Sequence, residues 1–123
     1  MTDLKEILLY MKEKGWVSLS GEYVTISNRH DELIRFHYPS IEKGTFGYII
    51  LTGILAEKVE AKYPVEEYEI EIYKKLSRGK TKYMLRVWVD EDISQVACFN
   101  ADGESMFHMY YLACKSLYGE GEK

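Results

Sequence analysis

The feature that most narrows the folds open to this chain is a pair of alternating runs on either side of Arg78-Gly79. Over residues 67–74, Tyr68, Ile70 and Ile72 alternate with Glu67, Glu69 and Glu71; over residues 82–90, Tyr83, Leu85, Val87 and Val89 form a second apolar row. Alternation with a period of two is what a strand with one buried face requires. Folding the chain about Arg78-Gly79 sets Ile72 opposite Leu85, Ile70 opposite Val87 and Tyr68 opposite Val89. The same register puts Glu71 across from Arg86 on the other face, an attractive cross-strand pair. A slip of one residue would turn a whole apolar row outward. Pattern and charge therefore predict one antiparallel hairpin in one register.

The rest of the chain supplies the elements that such a hairpin packs with. Leu4, Ile7, Leu8 and Met11 repeat at helical spacing after Asp3 and Glu6, which stand at capping-box distance, and Gly15 is placed to stop that helix in a left-handed conformation. Residues 22–27 and 32–38 alternate as strands around the polar turn 27–31, with Ile34, Phe36 and Tyr38 on one face and Arg35 and His37 on the other. A short further strand is allowed at residues 16–19. Residues 45–62 read as a second helix carrying Tyr48, Leu51, Leu55 and Val59 on one side, ended by Pro64. Gly47, Gly53 and the β-branched Ile49, Ile50 and Thr52 leave a strand at 46–52 with a shorter helix as the alternative. Residues 94–99 form a third strand of the hairpin group, followed by a turn at 100–103. A last helix over 104–118 bears Phe107, Tyr110, Tyr111, Cys114 and Leu117 and is stopped by Gly119.

The element order is α-β-β-α-β-β-β-α, which implies an α+β fold: an antiparallel sheet of about five to six strands packed against three helices. No internal repeat or linker divides the chain, so residues 1–118 are expected to form one domain and 119–123 a short flexible tail. The expected core comprises Val24, Ile34, Phe36, Leu55, Ile70, Ile72, Leu85, Val87, Tyr111 and Cys114.

Composition and motifs exclude more than they assign. A net charge of −4 argues against dominant phosphate-backbone binding and is too small for a dense acidic nucleic-acid mimic. Two cysteines make no disulfide framework, and Cys98 and Cys114 are expected to be buried, reduced thiols. The charged first residues lack a signal core, and no apolar run approaches membrane length, so a cytoplasmic protein without membrane contact is expected. His30, His37 and His108 fit no metal-ligand spacing, and no Gly-rich phosphate loop or nucleophile elbow occurs. The run 77–81 ends in Gly-Lys-Thr but lacks the upstream glycine and joins two strands. Glu66, Glu67, Glu69 and Glu71 read as a solvated strand face, and Asp90, Glu91 and Asp92 as loop solvation. No catalytic residue, metal or cofactor follows from these patterns.

One feature points to a function. Lys74, Lys75, Arg78, Lys80, Lys82 and Arg86 follow one another without an intervening acid, and Glu71 is placed to neutralise only Arg86. An acidic chain thus gathers five cations, Lys74, Lys75, Arg78, Lys80 and Lys82, at the tip of a hairpin. Such a tip suits an acidic partner or phosphates; it also suits plain protection of a sheet edge. The aromatic set Phe107, Tyr110, Tyr111 and Tyr118 has helix-face spacing and reads first as core, then as a subunit interface.

Residues 53–59 (Gly-Ile-Leu-Ala-Glu-Lys-Val), together with the closing helix from Glu104-Ser105 to Tyr118-Gly119, resemble small phage and prophage α/β-sandwich proteins of unknown function, over about half the chain. The element order also resembles class I type III secretion chaperones, which are small, acidic, dimeric α/β proteins; the strand at 94–99 departs from that pattern. Neither resemblance brings catalytic residues, and both imply a protein that acts by binding. The expectation is a non-enzymatic protein with a protein partner, chaperone- or inhibitor-like, from a phage or other mobile element. A homodimer is expected too, with Trp88 offered on the hairpin's outer face. The alternatives are a small-molecule-binding domain or small enzyme with a pocket between sheet and helices, and nucleic-acid binding through the basic hairpin 74–86.

Overall fold

The computed structural model describes residues 4–21, 23–27, 33–37, 46–91 and 94–119. The element order is α1 (Leu4–Glu13), β1 (Ser18–Ser20), β2 (Tyr23–Ser27), β3 (Leu33–His37), α2 (Phe46–Lys62), β4 (Tyr68–Ser77), β5 (Lys80–Glu91), β6 (Ser94–Gly103) and α3 (Met106–Tyr118). The fold is α+β with three helices. The strands form two antiparallel three-stranded sheets, β1-β2-β3 and β4-β5-β6, and not the one sheet of five to six strands that the sequence suggested. Strands separated by a helix carry no local sign of whether they pair with one another, and here β3 and β4, which flank α2, do not. The chain divides into two compact units, with the boundary inside α2 between Leu51 and Thr52.

In the first unit, α1 buries Leu4, Ile7, Leu8, Met11 and also Tyr10, which the spacing rule left out. Its end is a Schellman turn. Gly15, at φ 80°, donates to the Lys12 carbonyl, and Trp16 donates to that of Met11. The Trp16 ring then packs edge-on against Tyr10, with centroids 5.9 Å apart. The short strand allowed near residues 16–19 is β1, which sets Leu19 opposite Val24. Strand β2 pairs with β3 so that Val24 meets Phe36 and Ile26 meets Ile34. On the other face of this pair the Arg35 guanidinium lies 4.5 Å from the Tyr23 ring. The turn expected at 27–31 lies largely outside the described residues, as do His30, Tyr38 and the tail beyond Gly119.

Helix α2 runs unbroken from Phe46 to Lys62, which excludes the alternative of a strand at 46–52. Leu51, Leu55 and Val59 are fully buried. In the second unit, β4 and β5 pair in the register expected from the sequence, with Ile70 opposite Val87 and Glu71 opposite Arg86. The two-residue loop has φ of 53° at Arg78 and 76° at Gly79, the pair of left-handed residues that a type I′ hairpin turn requires. Strand β6 runs on to Gly103, so residues 100–103 are strand and not a turn. Asn100, Ala101 and Asp102 have turn composition, but pairing with Arg86, Leu85 and Met84 overrides it. Cys98 sits at a bulge, the extra residue between Ala97, opposite Trp88, and Phe99, opposite Val87. It is exposed, contrary to expectation, because a bulge residue leaves the ladder's alternation.

Helix α3 packs on β6 and β5. Ser105 caps it, its hydroxyl accepting from the His108 N–H at 3.1 Å. Phe107, Tyr110, Tyr111 and Cys114 are buried as expected, and Met109 and Ala113 join them. Two bonds tie α3 to α2: the Cys114 thiol donates to the Leu55 carbonyl at 3.4 Å, and the Tyr118 hydroxyl to that of Lys58 at 2.7 Å. Of the expected core, Val24, Leu55, Leu85, Val87, Tyr111 and Cys114 are buried, whereas Ile70 is half-buried and Ile72 is exposed. Among the described residues no helix is long and apolar enough to cross a membrane.

Candidate interaction surface on the β4–β5 hairpin

The two faces of the hairpin have different chemistry. Lys75 stands directly across from Lys82, and Ser77 from Lys80, on the face away from α3. Lys74 stands across from Tyr83 on the opposite face, with its ammonium 5.7 Å from the Tyr83 ring. Lys74, Lys75, Arg78, Lys80 and Lys82 are all exposed, and the register gathers the five residues at the loop end of the hairpin. Four of them meet no carboxylate in the described structure. Lys82 is the exception: its ammonium lies 3.4 Å from Asp102, with both side chains more than half exposed. That acid arrives from β6, and reading 100–103 as a turn hid it.

Further along the same face the charges are organised. Glu71 accepts a hydrogen bond from the Trp88 indole at 2.7 Å and another from the Tyr73 hydroxyl. Those two donors, and after them the Arg86 charge, hold the Glu71 carboxyl below its usual range; the same carboxylate pushes the Tyr73 hydroxyl up. Arg86 donates to the Asn100 side chain at 2.9 Å and lies 5.7 Å from both the Tyr73 and Trp88 rings. Gln95 donates to Glu69 at 2.9 Å. Trp88 is half-buried and engaged within this network, which leaves it a poor anchor for a second subunit. Between β5 and β6 an open hollow of about 350 Å³ is bordered by Met84, Arg86, Ala97, Asn100 and Asp102. No histidine borders it.

The hairpin also carries exposed apolar surface, including Ile72, which alternation had assigned to the core. Leu76 is 70% exposed and Ile72 42%, both on the face that packs on α3 elsewhere, while Tyr73 is 39% exposed on the other. Basic and apolar groups are thus interleaved on β4.

The other candidates resolve as packing. Both ring nitrogens of His108 are buried with no hydrogen-bond partner among the described residues, and its ring stacks 6.3 Å from Tyr111. His37 lies against Tyr23, with ring centroids 5.3 Å apart. Burial pushes the Cys114 thiol up to about 12, so it stays protonated and inert. Among the described residues no three His, Cys, Asp or Glu side chains gather as a metal site would need. Comparison with family models, with curated proteins and with solved structures finds no match to this chain.

Proposed function

We propose that the protein is non-enzymatic and binds another protein through the β4–β5 hairpin, as a chaperone or an inhibitor does. The observation that carries this reading is the tip itself: Lys74, Lys75, Arg78 and Lys80 are exposed beside Leu76 and meet no acid among the described residues, on a chain whose net charge is −4. Two local costs accompany that arrangement. Lys75 and Lys82 face each other across the ladder, and like charges directly opposite are unfavourable. Arg78 occupies a left-handed position where Asn or Gly is preferred, at a cost of roughly 1–2 kcal/mol. Solubility alone needs neither. An acidic protein surface with an apolar centre matches the tip in both charge and character.

The test measures binding of a fluorescent Glu-rich peptide carrying a central Leu-Phe pair, beside a single-stranded oligonucleotide of equal charge. Reversing Arg78, Lys80 and Lys82 to Glu should weaken peptide binding at least about tenfold, mainly through slower association, with the loss shrinking as salt rises. Folding should change little, because exposed substitutions usually move stability by about 0.5 kcal/mol or less each. A second variant, Arg78→Asn, should bind more weakly yet unfold at higher denaturant. Equal binding by the parent and the triple variant would defeat the proposal. Tighter binding of the oligonucleotide than of the peptide would replace it with nucleic-acid recognition.

A further inference from the structure

Within the second unit, β4 is an edge strand that carries exposed apolar side chains. In the order β4-β5-β6 it is an edge strand, ten residues long. Edge strands offer unpaired backbone groups and are usually short, bulged or covered. The β4–β5 ladder is continuous, and its bulge-bearing partner is instead β6. Ile72, Tyr73 and Leu76, three of the seven large apolar residues exposed in the described structure, lie on this one strand.

The charges along β4 run in blocks. Glu66, Glu67, Glu69 and Glu71 come first, and Lys74, Lys75 and Arg78 follow. A segment that is acidic at one end and basic at the other complements itself when laid antiparallel. From this we infer that β4 pairs antiparallel with β4 of a second copy of the chain about a two-fold axis, joining two sheets into one of six strands.

The alternation of side chains limits the register. An axis between two residues would set the face that packs on α3 against the opposite face, so the axis must pass through a residue. Centred on Glu71, it puts two carboxylates directly opposite each other. Centred on Tyr73, it leaves the exposed Ile72 against Lys74, whereas a centre on Ile72 sets that lysine against the half-buried Ile70. Centred on Ile72, it sets Ile72 against Ile72, Tyr68 against Leu76, Glu71 against Tyr73 and Glu69 against Lys75, the last three twice over by symmetry. This register covers the two exposed aliphatic residues of β4 and supplies Lys75 with an acid, over a seam about 30 Å long. Lys75 and Leu76 belong to both the tip and the seam, whereas Arg78, Lys80 and Lys82 lie beyond β4 and outside the seam, so a partner at the tip and the second copy compete for those two residues.

Sedimentation of the parent chain and three variants tests it. The parent should be dimeric at high micromolar concentration. Ile72→Lys and Glu69→Lys should each raise the dimer dissociation constant at least about tenfold. The double variant Glu69→Lys/Lys75→Glu should return to within about threefold of the parent, since the swap restores both pairs with their signs exchanged. Independently, Ile72→Cys in a Cys98→Ser background should give a covalent dimer with a short bis-maleimide, because Cys114 is buried and protonated. A parent that is monomeric throughout, or a dimer untouched by Ile72→Lys, would overturn the inference. Failure of the swap together with failure of the Ile72→Cys cross-link would overturn the register. Ile72→Lys leaves Lys75, Leu76, Arg78, Lys80 and Lys82 in place, so loss of the dimer with peptide binding retained or strengthened separates this interface from the tip.

Discussion

Replacing Gly103 by alanine adds one methyl group at the closest approach between β6 and α3. A Cβ there would lie 2.6 Å from the Met109 nitrogen, 2.9 Å from its Cα and 3.1 Å from the His108 carbonyl carbon. Comfortable contact begins near about 3.5 Å, so one element must retreat by several tenths of an ångström to about 1 Å. The obstacle is helix backbone, held by the Met109 N–H on the Ser105 carbonyl at 2.8 Å and by the His108 N–H on the Ser105 hydroxyl at 3.1 Å. A retreating strand would strain the Tyr83–Gly103 pairing, and a retreating helix would lift the buried Phe107 and Met109. Overpacking of this kind costs about 1–3 kcal/mol, less the roughly 0.4–1 kcal/mol gained by stiffening the unfolded chain. The net expectation is a loss of about 1–2 kcal/mol. Gly53 is the internal control: it is exposed in α2 with nothing within 4 Å of its added Cβ. Gly53→Ala should therefore stabilise by about 0.8–1 kcal/mol through helix propensity alone. Urea titration in a Trp16→Phe background leaves Trp88 to report on the unit that holds both glycines. One substitution should lower the midpoint by roughly 1 M and the other raise it by roughly 0.5 M. A Gly103→Ala midpoint at or above the parent's would refute the packing argument.

Two further outcomes follow from the core. Leu85 is 1% exposed on the central strand β5, and Leu85→Ala should lose about 2–5 kcal/mol in the same titration; a loss well below 1 kcal/mol would mean that the strand faces are reversed. The Cys114 thiol is pushed up to about 12 by burial, against about 8.5 in an unfolded chain. Below the unfolded value both states hold the proton and the thiol's contribution is complete; as pH rises towards the folded value only the folded chain keeps it, and stability falls by up to about 1.4 kcal/mol per pH unit. Tyr110 and Tyr118, also raised by burial, add to the decline above about pH 10. Cys114→Ala should therefore flatten the curve chiefly between about pH 9 and pH 10, and an unchanged slope there would contradict the assignment.

The elements whose determinants are local could be read in advance. The β4–β5 register needed only alternation and one charge pair, and both lie within about twenty residues of chain. The stop of α1 needed only Gly15, and that of α3 only Gly119. What depended on lateral partners could not be read. Nothing in residues 33–37 or 68–77 states that β3 and β4 belong to different sheets. The front of α2 carries strand-like Ile49, Ile50 and Thr52, yet it is helical because the helix, and not the isolated segment, buries Leu51 and Leu55. Residues 100–103 carry turn chemistry and still extend β6, since each finds a partner on β5. That one misreading displaced Asp102, and with it the acid that Lys82 meets.

The apolar half of the interaction surface was hidden for a related reason, and lengths explain it. Alternation assigns Ile70 and Ile72 to the row that includes Leu85 and Val87, and the register puts both there, with Leu76 following on the same face. Whether such a row is buried depends on what lies over it. Helix α3 has thirteen residues, about 20 Å of cover, whereas β5 has twelve, about 40 Å of strand. A helix of that length cannot roof the hairpin to its tip, and α3 packs on β6 and β5. Cover therefore fails in two directions: outward to the edge, where Ile72 is exposed opposite the buried Leu85, and distally, where Leu76 is exposed opposite Thr81. The alternation that marks a core row also marks a row waiting for a partner, and helix length decides between the two. In β4 the uncovered part of the row coincides with the change from acidic to basic residues, so the segment that α3 cannot reach is also the one whose charges complement a reversed copy of itself.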